Sequence, residues 1–194
     1  MKKIVLLALA ASTVAVATPA SAQNATGTVT ITGSVADKCQ VTPVLGGNYV
    51  TSRNLLELSQ ADGTLEASTT LATRFGVAGT TAPAFRVVCT TAAPKVTVEA
   101  SPLLHTTVGL QALASGYTGT VNYTADVKVT TTAALPETVS DTTAAGTTVL
   151  TLSNRLAASG NNVEITTSAF NTAASALLNA GSYSGQIVVT VSPN

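Results

Sequence analysis

The side chains that commonly carry out catalysis are few in this chain, and their spacing does not suggest a catalytic arrangement. The only histidine, His105, lies in the sequence PLLHTT without a recognisable catalytic partner, and the nine carboxylates are scattered. The sequence contains no Gly-x-Ser-x-Gly elbow, no phosphate-binding loop and no His-rich metal motif. We therefore expect a protein that is not an enzyme and that holds neither a metal nor a cofactor.

The two cysteines, Cys39 and Cys89, are the remaining candidates for chemistry. A metal site would need more Cys, His or carboxylate neighbours than these positions have. A redox pair would normally be closer together, as in a Cys-x-x-Cys arrangement. Because the N-terminal sequence is typical of an exported protein, the two thiols are expected to form one structural disulfide in an oxidising compartment.

The first 22 residues have the features of a secretory signal peptide. Two lysines follow the first methionine, residues 4–16 form an apolar run, and residues 20–22 (Ala-Ser-Ala) are small where a signal peptidase reads. The apolar run is too short to cross a bilayer, which takes about 20 residues. We expect cleavage after Ala22, giving an exported, soluble chain that begins near Gln23 and is not inserted in a membrane.

The composition favours β-structure and excludes some partners. Only 9% of the residues are charged, and lysine and arginine together number nine. The sequence therefore offers no basic patch for the phosphates of a nucleic acid or an anionic lipid. Threonine and valine are abundant, and both favour the pleated, half-buried surface of a sheet.

The most regular pattern covers residues 26–39, TGTVTITGSVADKC. Apolar residues and a glycine alternate with threonine and serine, which predicts a strand with one apolar face. That face carries Val29, Ile31, Gly33 and Val35. A strand at the N-terminus of the mature chain can complete its own sheet or be lent to another molecule, and the pattern alone leaves both open.

Further strands are predicted by alternation along the rest of the chain. Two adjacent strands joined by a short turn cover residues 84–89 and 94–100, and the longest alternation covers residues 118–131. Residues 147–152 and 162–167 are shorter candidates. The last predicted strand, residues 183–191, has the sequence YSGQIVVTV.

Three segments are less decisive. Residues 54–58 fit a strand or a helical turn, residues 169–178 fit a helical turn or a loop, and residues 65–83 give no clear pattern. Since the chain shows no strong amphipathic helix and no alternation of strands with helices, we predict an all-β fold. The expected architecture is an antiparallel β-sandwich with Greek-key connections.

Several segments resemble the spore coat protein U family and the related archaic (Csu-like) chaperone-usher pilins. The matching sequences are GTVTITGSVADKC, VVCTTAAPKVTVEAS, VNYTADVKV and AGSYSGQIVVTV. The resemblance implies an incomplete immunoglobulin-like, pilin-like sandwich over residues 38–194, completed by a donor strand. It also implies that residues 23–37 are the donor strand.

The resemblance implies roles for particular residues. Val29, Ile31 and Val35 would fill pockets in the groove of a neighbouring subunit, and Gly33 would lie where the groove wall comes close. The groove would run beside the last strand, whose edge residues are Tyr183, Ile187, Val189 and Val191. A periplasmic chaperone would lend a strand first, and the next subunit's N-terminal strand would replace it.

The function that follows is a structural subunit of a surface pilus or fimbria, serving adhesion or biofilm formation. Its partners would be a periplasmic chaperone, an outer-membrane usher and other pilin subunits. It would pass through the periplasm and then lie in a cell-surface fimbrium or be secreted. Two alternatives are a self-complemented monomeric sandwich with a binding or envelope role, and a tip adhesin that recognises a surface or a glycan.

Overall fold

The computed structural model describes residues 29–42, 48–109, 113–173 and 176–194. The chain divides between Ser34 and Val35 into two units, and all the elements below belong to the second. In chain order they are β1 Cys39–Thr42, α1 Ser68–Phe75, β2 Ala84–Cys89, β3 Lys95–Ala100, β4 Leu103–His105, β5 Tyr117–Thr118, β6 Thr120–Val129, β7 Glu137–Thr142, β8 Thr148–Thr151, β9 Val163–Asn171, β10 Leu177–Leu178, β11 Tyr183–Ser184 and β12 Ile187–Ser192. The predicted all-β class is confirmed.

The larger sheet has seven strands in the order β1-β2-β9-β6-β4-β11, with β7 also pairing with β6. All of its pairs are antiparallel. Strand β6 lies near the centre of this sheet. Its alternation places five apolar residues on one face, and all five are buried. These are Val121, Tyr123, Ala125, Val127 and Val129.

The smaller sheet has three antiparallel strands in the order β12-β3-β8. Its central strand, β3, buries Val96 and Val98 completely and Ala100 almost completely. These side chains join those of the larger sheet in one hydrophobic core. Strands β2 and β3, which follow each other in sequence as predicted, do not pair, because the chain passes from one sheet to the other between them.

The predicted C-terminal strand is broken into two. Residues 183–184 form β11 on the larger sheet, whereas residues 187–192 form β12 on the smaller one. The strands that pair with β11 and β12 are interrupted at the same level, where Pro102 lies between β3 and β4. The Ser101 N–H donates to the Gln186 carbonyl at 2.8 Å, and a Cβ on Gly185 would lie 2.9 Å from the Pro102 carbonyl oxygen. The two corners therefore fit only because Gly185 has no side chain.

The helix α1 was not predicted, because threonine is a poor helix former and the segment has no clear period. It forms where Leu71 can be fully buried, with Phe75 partly buried four residues later on the same face. The Ser68 hydroxyl accepts a hydrogen bond from the Phe170 N–H at 2.8 Å, which joins the start of the helix to β9. Tertiary packing thus outweighs weak local propensity here.

The N-terminal segment differs from the sequence prediction. Residues 29–38 are assigned to no strand, and regular structure begins at Cys39. Over residues 29–38 the predicted strand is therefore not formed in the single chain, Cys39 is the first residue of β1, and residues 26–28 lie outside the described part. An exposed segment can leave its N–H and C=O groups to water, and it becomes a strand of a ladder only when it pairs with another strand.

Two smaller differences concern the irregular segments. Residues 54–58 are neither strand nor helix, and Leu56 adopts a positive φ of 61°. The one parallel pair described is the two-residue ladder between β10 and β5. Both residues of β10 fall in the segment 169–178, which was predicted as a helical turn or a loop, and β9 also extends into this segment as far as Asn171.

Candidate functional site

Strand β12 forms one edge of the smaller sheet. It pairs with β3 along its full length, from Ile187 opposite Ala100 to Ser192 opposite Lys95. In the described part of the chain, no strand pairs with its other edge. That edge presents unpaired backbone N–H and C=O groups, which make an edge strand a template for another strand.

The apolar face of β12 is only half-covered. Its inward residues Ile187, Val189 and Val191 lie opposite Ala100, Val98 and Val96, respectively. The β3 members of these pairs are 6%, 0% and 0% exposed, whereas all three β12 members remain half-buried. The two rows face the same core, so the difference arises because β12 has no neighbour on its far side.

A groove runs along this uncovered side. Its main cavity has a volume of about 1290 Å³ and is lined by β12, by Phe85 and Ile165 of the larger sheet, and by residues 48–60. A second cavity of about 260 Å³ lies between β1 and β12 and shares the Phe85 side chain with the first. We call these two cavities together the β12 groove.

The histidine that packs against Tyr183, behind the end of the groove near β11, has its ring nitrogens satisfied. His105 is buried, and its Nδ1 accepts the N–H groups of Thr107 and Val108 at 3.1 and 3.3 Å. Its Nε2 lies 2.9 Å from the Ala180 carbonyl, to which it donates in that tautomer. A Cβ on Gly181 would lie 2.2 Å from Nε2, so this histidine is packed as a structural group.

The two phenols near the groove are also bonded to the backbone. The Tyr183 hydroxyl donates to the Asn179 carbonyl at 2.9 Å, and burial raises the pKa of Tyr183. The Tyr123 hydroxyl donates to the Gln186 carbonyl at 3.3 Å. Burial, together with the negative charge of Asp141, raises the pKa of Tyr123 to about 12. Both phenols therefore stay protonated at neutral pH and act as hydrogen-bond donors.

Asp141 is the one completely buried carboxylate among the described residues. One of its oxygens accepts the Ala100 N–H at 2.8 Å, and the other accepts the Thr148 hydroxyl at 2.6 Å. These bonds join β7 to both β3 and β8. Within the described ranges, no group of three or more His, Cys, Asp or Glu side chains could hold a metal ion.

The disulfide prediction is confirmed: Cys39 and Cys89 are bonded. They lie directly opposite each other in the β1–β2 ladder. The bond closes a loop with a sequence separation of 50 residues, which in the chain-entropy model stabilises the fold by about 4 kcal/mol. It also ties the first residue of β1 to the last residue of β2.

The predicted donor residues are all accessible. Val29, Ile31 and Val35 are 85%, 90% and 78% exposed, and a Cβ built on Gly33 would meet open space. Of the predicted groove-edge residues, Ile187, Val189 and Val191 share the inward face of β12. Tyr183 lies in β11 on the other sheet and lines one end of the groove.

Sequence reasoning did not identify the wall and the floor of the groove. Residues 48–60 line one side of the main cavity, and Tyr49 stacks on Phe85 with ring centroids 4.7 Å apart. The alternation in β2 places Phe85 on the inward face, which is a signal for the core but not for a site. Nothing in the local sequence marks Tyr49.

No protein-family model, curated protein or solved structure matches this chain. In the ranges that the structure describes, no helix is both long enough and apolar enough to cross a membrane.

Proposed function

We propose that this protein is a structural subunit of a surface fibre of the pilus or fimbria type, assembled by donor-strand exchange and serving adhesion or biofilm formation. The observation that carries the proposal is the half-covered apolar face of β12 beside the β12 groove. A strand laid along the free edge would gain main-chain hydrogen bonds, and its alternate side chains would enter the groove.

In this proposal the domain over residues 38–194 is an immunoglobulin-like Greek-key sandwich that lacks one strand. Two antiparallel sheets around one core support that description. In this proposal the missing strand would lie along the free edge of β12, over the cavity between β1 and β12. The added strand would lie beside Ile187, Val189 and Val191 and would bury them fully.

The donor would be the N-terminal segment of another subunit. Val29, Ile31 and Val35 alternate along residues 29–35 and are exposed, so they are available to a partner. Full burial of a valine or isoleucine side chain is worth about 1.5 to 3 kcal/mol, so the three together could contribute about 5 to 9 kcal/mol. Gly33 would pass the narrowest part of the groove.

Linking one subunit's donor to the next subunit's groove is a head-to-tail contact, and such contacts build open fibres. An unfilled groove and a free strand edge favour aggregation, which is why a periplasmic chaperone would be needed before assembly. An outer-membrane usher would then exchange the chaperone's strand for a subunit's. The resemblance to spore coat protein U and the archaic pilins supports these partners and the cell-surface location.

The first test is a denaturing gel of protein extracted from the cell surface, run without reductant, with and without boiling. The proposal predicts a ladder of multimers that collapses to monomer on boiling. Ile31→Asp should abolish the ladder, because it places a charge on the apolar face of the donor. Thr32→Asp is the matched control, since its side chain lies on the opposite face of an extended strand, and it should keep the ladder.

A wild-type protein that runs as monomer in both lanes would overturn the proposal and favour a self-complemented monomer. Equal loss of the ladder in both variants would also count against it, because donation would then not depend on the face of the strand. The self-complemented fold has little support from residues 29–38, which are assigned to no strand.

A further inference from the structure

Tyr49 covers the part of the β12 groove where the two cavities meet. Its ring is stacked on Phe85 with an interplanar angle of 18° and is 38% exposed, whereas the next residue, Val50, is 87% exposed. Phe85 is 7% exposed and lines both cavities. The Tyr49 ring thus provides part of the cover that this groove residue has.

The chain around Tyr49 is held loosely. Residues 48–58 belong to no strand or helix. Their polar anchors lie after Ser52: Arg53 donates to the Thr81 carbonyl at 2.7 Å, and Arg74 donates to the carbonyls of Leu55 and Glu57 at 3.2 and 2.5 Å. Between residues 48 and 52 no hydrogen bond joins the segment to another described residue. Moving the Tyr49 ring away from Phe85 therefore breaks the ring stack but no hydrogen bond among the described residues.

We propose that Tyr49 is a placeholder in the β12 groove: its ring occupies the position over Phe85 that an apolar side chain of an incoming donor strand takes. The incoming strand is the segment containing Val29, Ile31 and Val35 from a second copy of this chain, so the inference rests on the proposed function. The anchors at Arg53 and Arg74 stay in place during the exchange and keep the rest of the segment as the groove wall.

The placeholder slows donor entry, because the ring must leave before a donor side chain can reach Phe85. A stacked aromatic pair adds stabilisation beyond that of the surface area it buries. Removing the pair should therefore accelerate entry of the donor strand about threefold to tenfold. Tyr49→Ala should show this acceleration, and Tyr49→Ser provides a second variant should the alanine variant fold poorly. Tyr49→Phe keeps the stacked ring and should behave as the wild type.

The experiment measures uptake of a fluorescent synthetic peptide of residues 26–37 by the full-length chain, followed as fluorescence anisotropy against time. Tyr117→Ala is the matched control, because Tyr117 is 49% exposed and does not line the groove. The same peptide with Ile31→Asp is the negative control. Any uptake of this peptide measures binding that does not depend on the apolar face of the donor. Far-UV circular dichroism confirms that each variant is folded.

Faster uptake in Tyr49→Ala or Tyr49→Ser, with wild-type rates in Tyr49→Phe and Tyr117→Ala, is the expected result. Uptake at the wild-type rate in all variants would overturn the placeholder and leave strand donation standing. No uptake by the wild type or by any variant would overturn the proposed function and the placeholder together. Acceleration in Tyr49→Phe as well would show that the hydroxyl, and not the ring over Phe85, controls entry, which contradicts the proposal.

Discussion

The two sheets meet along two seams that are built differently. At the β7–β8 seam the chain passes from the larger to the smaller sheet through residues 143–147. Asp141 lies in this seam, completely buried, and is bonded to Ala100 and Thr148. At the β1–β12 seam the two strands come from distant parts of the sequence, and a cavity separates them.

The β7–β8 seam is closed by the hydrogen bonds of Asp141, whereas a cavity separates the two strands of the β1–β12 seam. A buried carboxylate destabilises the fold unless it accepts hydrogen bonds. Opening the β7–β8 seam would break the hydrogen bonds of Asp141, so this seam is expected to stay closed. The β1–β12 seam is lined by apolar side chains, by the polar residues Gln40, Asn48 and Thr190, and by a free backbone edge, which water can cover in the absence of a strand. Strands β1, β7 and β8 each contain one valine and β12 contains three, so the two seams differ in apolar content as well as in polar connections.

The largest effect is expected from breaking the β7–β8 seam with Asp141→Ala. The change leaves the Ala100 N–H and the Thr148 hydroxyl without their partner, and hydrogen bonds to a charged group contribute about 1.5 to 3 kcal/mol each. We expect the free energy of unfolding to fall by about 3 to 5 kcal/mol, measured by urea denaturation at neutral pH.

The control for this prediction is Asp126→Ala. Asp126 also accepts two side-chain hydrogen bonds, from Ser140 and Ser168, but it lies half-buried on the outer face of β6. Its replacement should reduce the free energy of unfolding by about 1 kcal/mol or less. Equal losses in the two variants would mean that Asp141 does not bridge the sheets as described.

A smaller effect is expected from changing the β1–β12 seam with Val189→Asp. The carboxylate would face the β12 groove, where water still reaches it, so the unliganded chain should lose about 1 kcal/mol or less. Binding of the peptide of residues 26–37 should weaken at least about tenfold, because the bound strand would bury the charge. Equilibrium fluorescence anisotropy measures this affinity.

Val149→Asp tests whether the effect is confined to the β12 groove. Val149 lies in β8 at the other edge of the smaller sheet, is 57% exposed and lines neither cavity of the groove. Its replacement should leave peptide affinity within about twofold of the wild type. If Val149→Asp weakens binding as much as Val189→Asp does, the peptide does not occupy the groove.

Much of the fold could be predicted from alternation. Strand β2 has the predicted bounds, and β3, β6, β8 and β9 lie where the pattern places them, although β9 extends further. These predictions succeed because each of these strands has one face turned to the core and one turned to solvent, and no second chain is needed to create that difference. The break between β11 and β12 could not be predicted, because it depends on the neighbouring corner at Pro102 and on the close approach that Gly185 permits.

The site was only partly predictable for a similar reason. The inward residues of β12 follow from alternation, but whether they are covered depends on strand order, which no local pattern contains. Asp141 was not singled out, because a buried carboxylate has the same sequence signature as an exposed one. Tyr49 contacts Phe85 across a long separation in sequence, and irregular segments give no periodic signal for such contacts.

The pKa of Tyr123 depends on features of both seams, and a shift in this pKa is the smallest effect that we predict. It lines the main cavity of the β12 groove, and its pKa is raised to about 12 by burial and by the negative charge of Asp141. An unfolded tyrosine has a pKa of about 10. The folded state therefore holds this proton more tightly, so the stabilising contribution is complete below pH 10 and is lost as the pH rises from 10 through 12.

Absorbance at 295 nm against pH should show a late tyrosine step in the wild type that is missing in Tyr123→Phe. Asp141→Asn should move this step to lower pH, because it removes the charge that opposes the phenolate. The donor peptide should move it to higher pH, because a filled groove buries Tyr123 further. A step that the peptide leaves unchanged would mean that the bound strand does not reach Tyr123, and the groove would then be filled only at its β1 end.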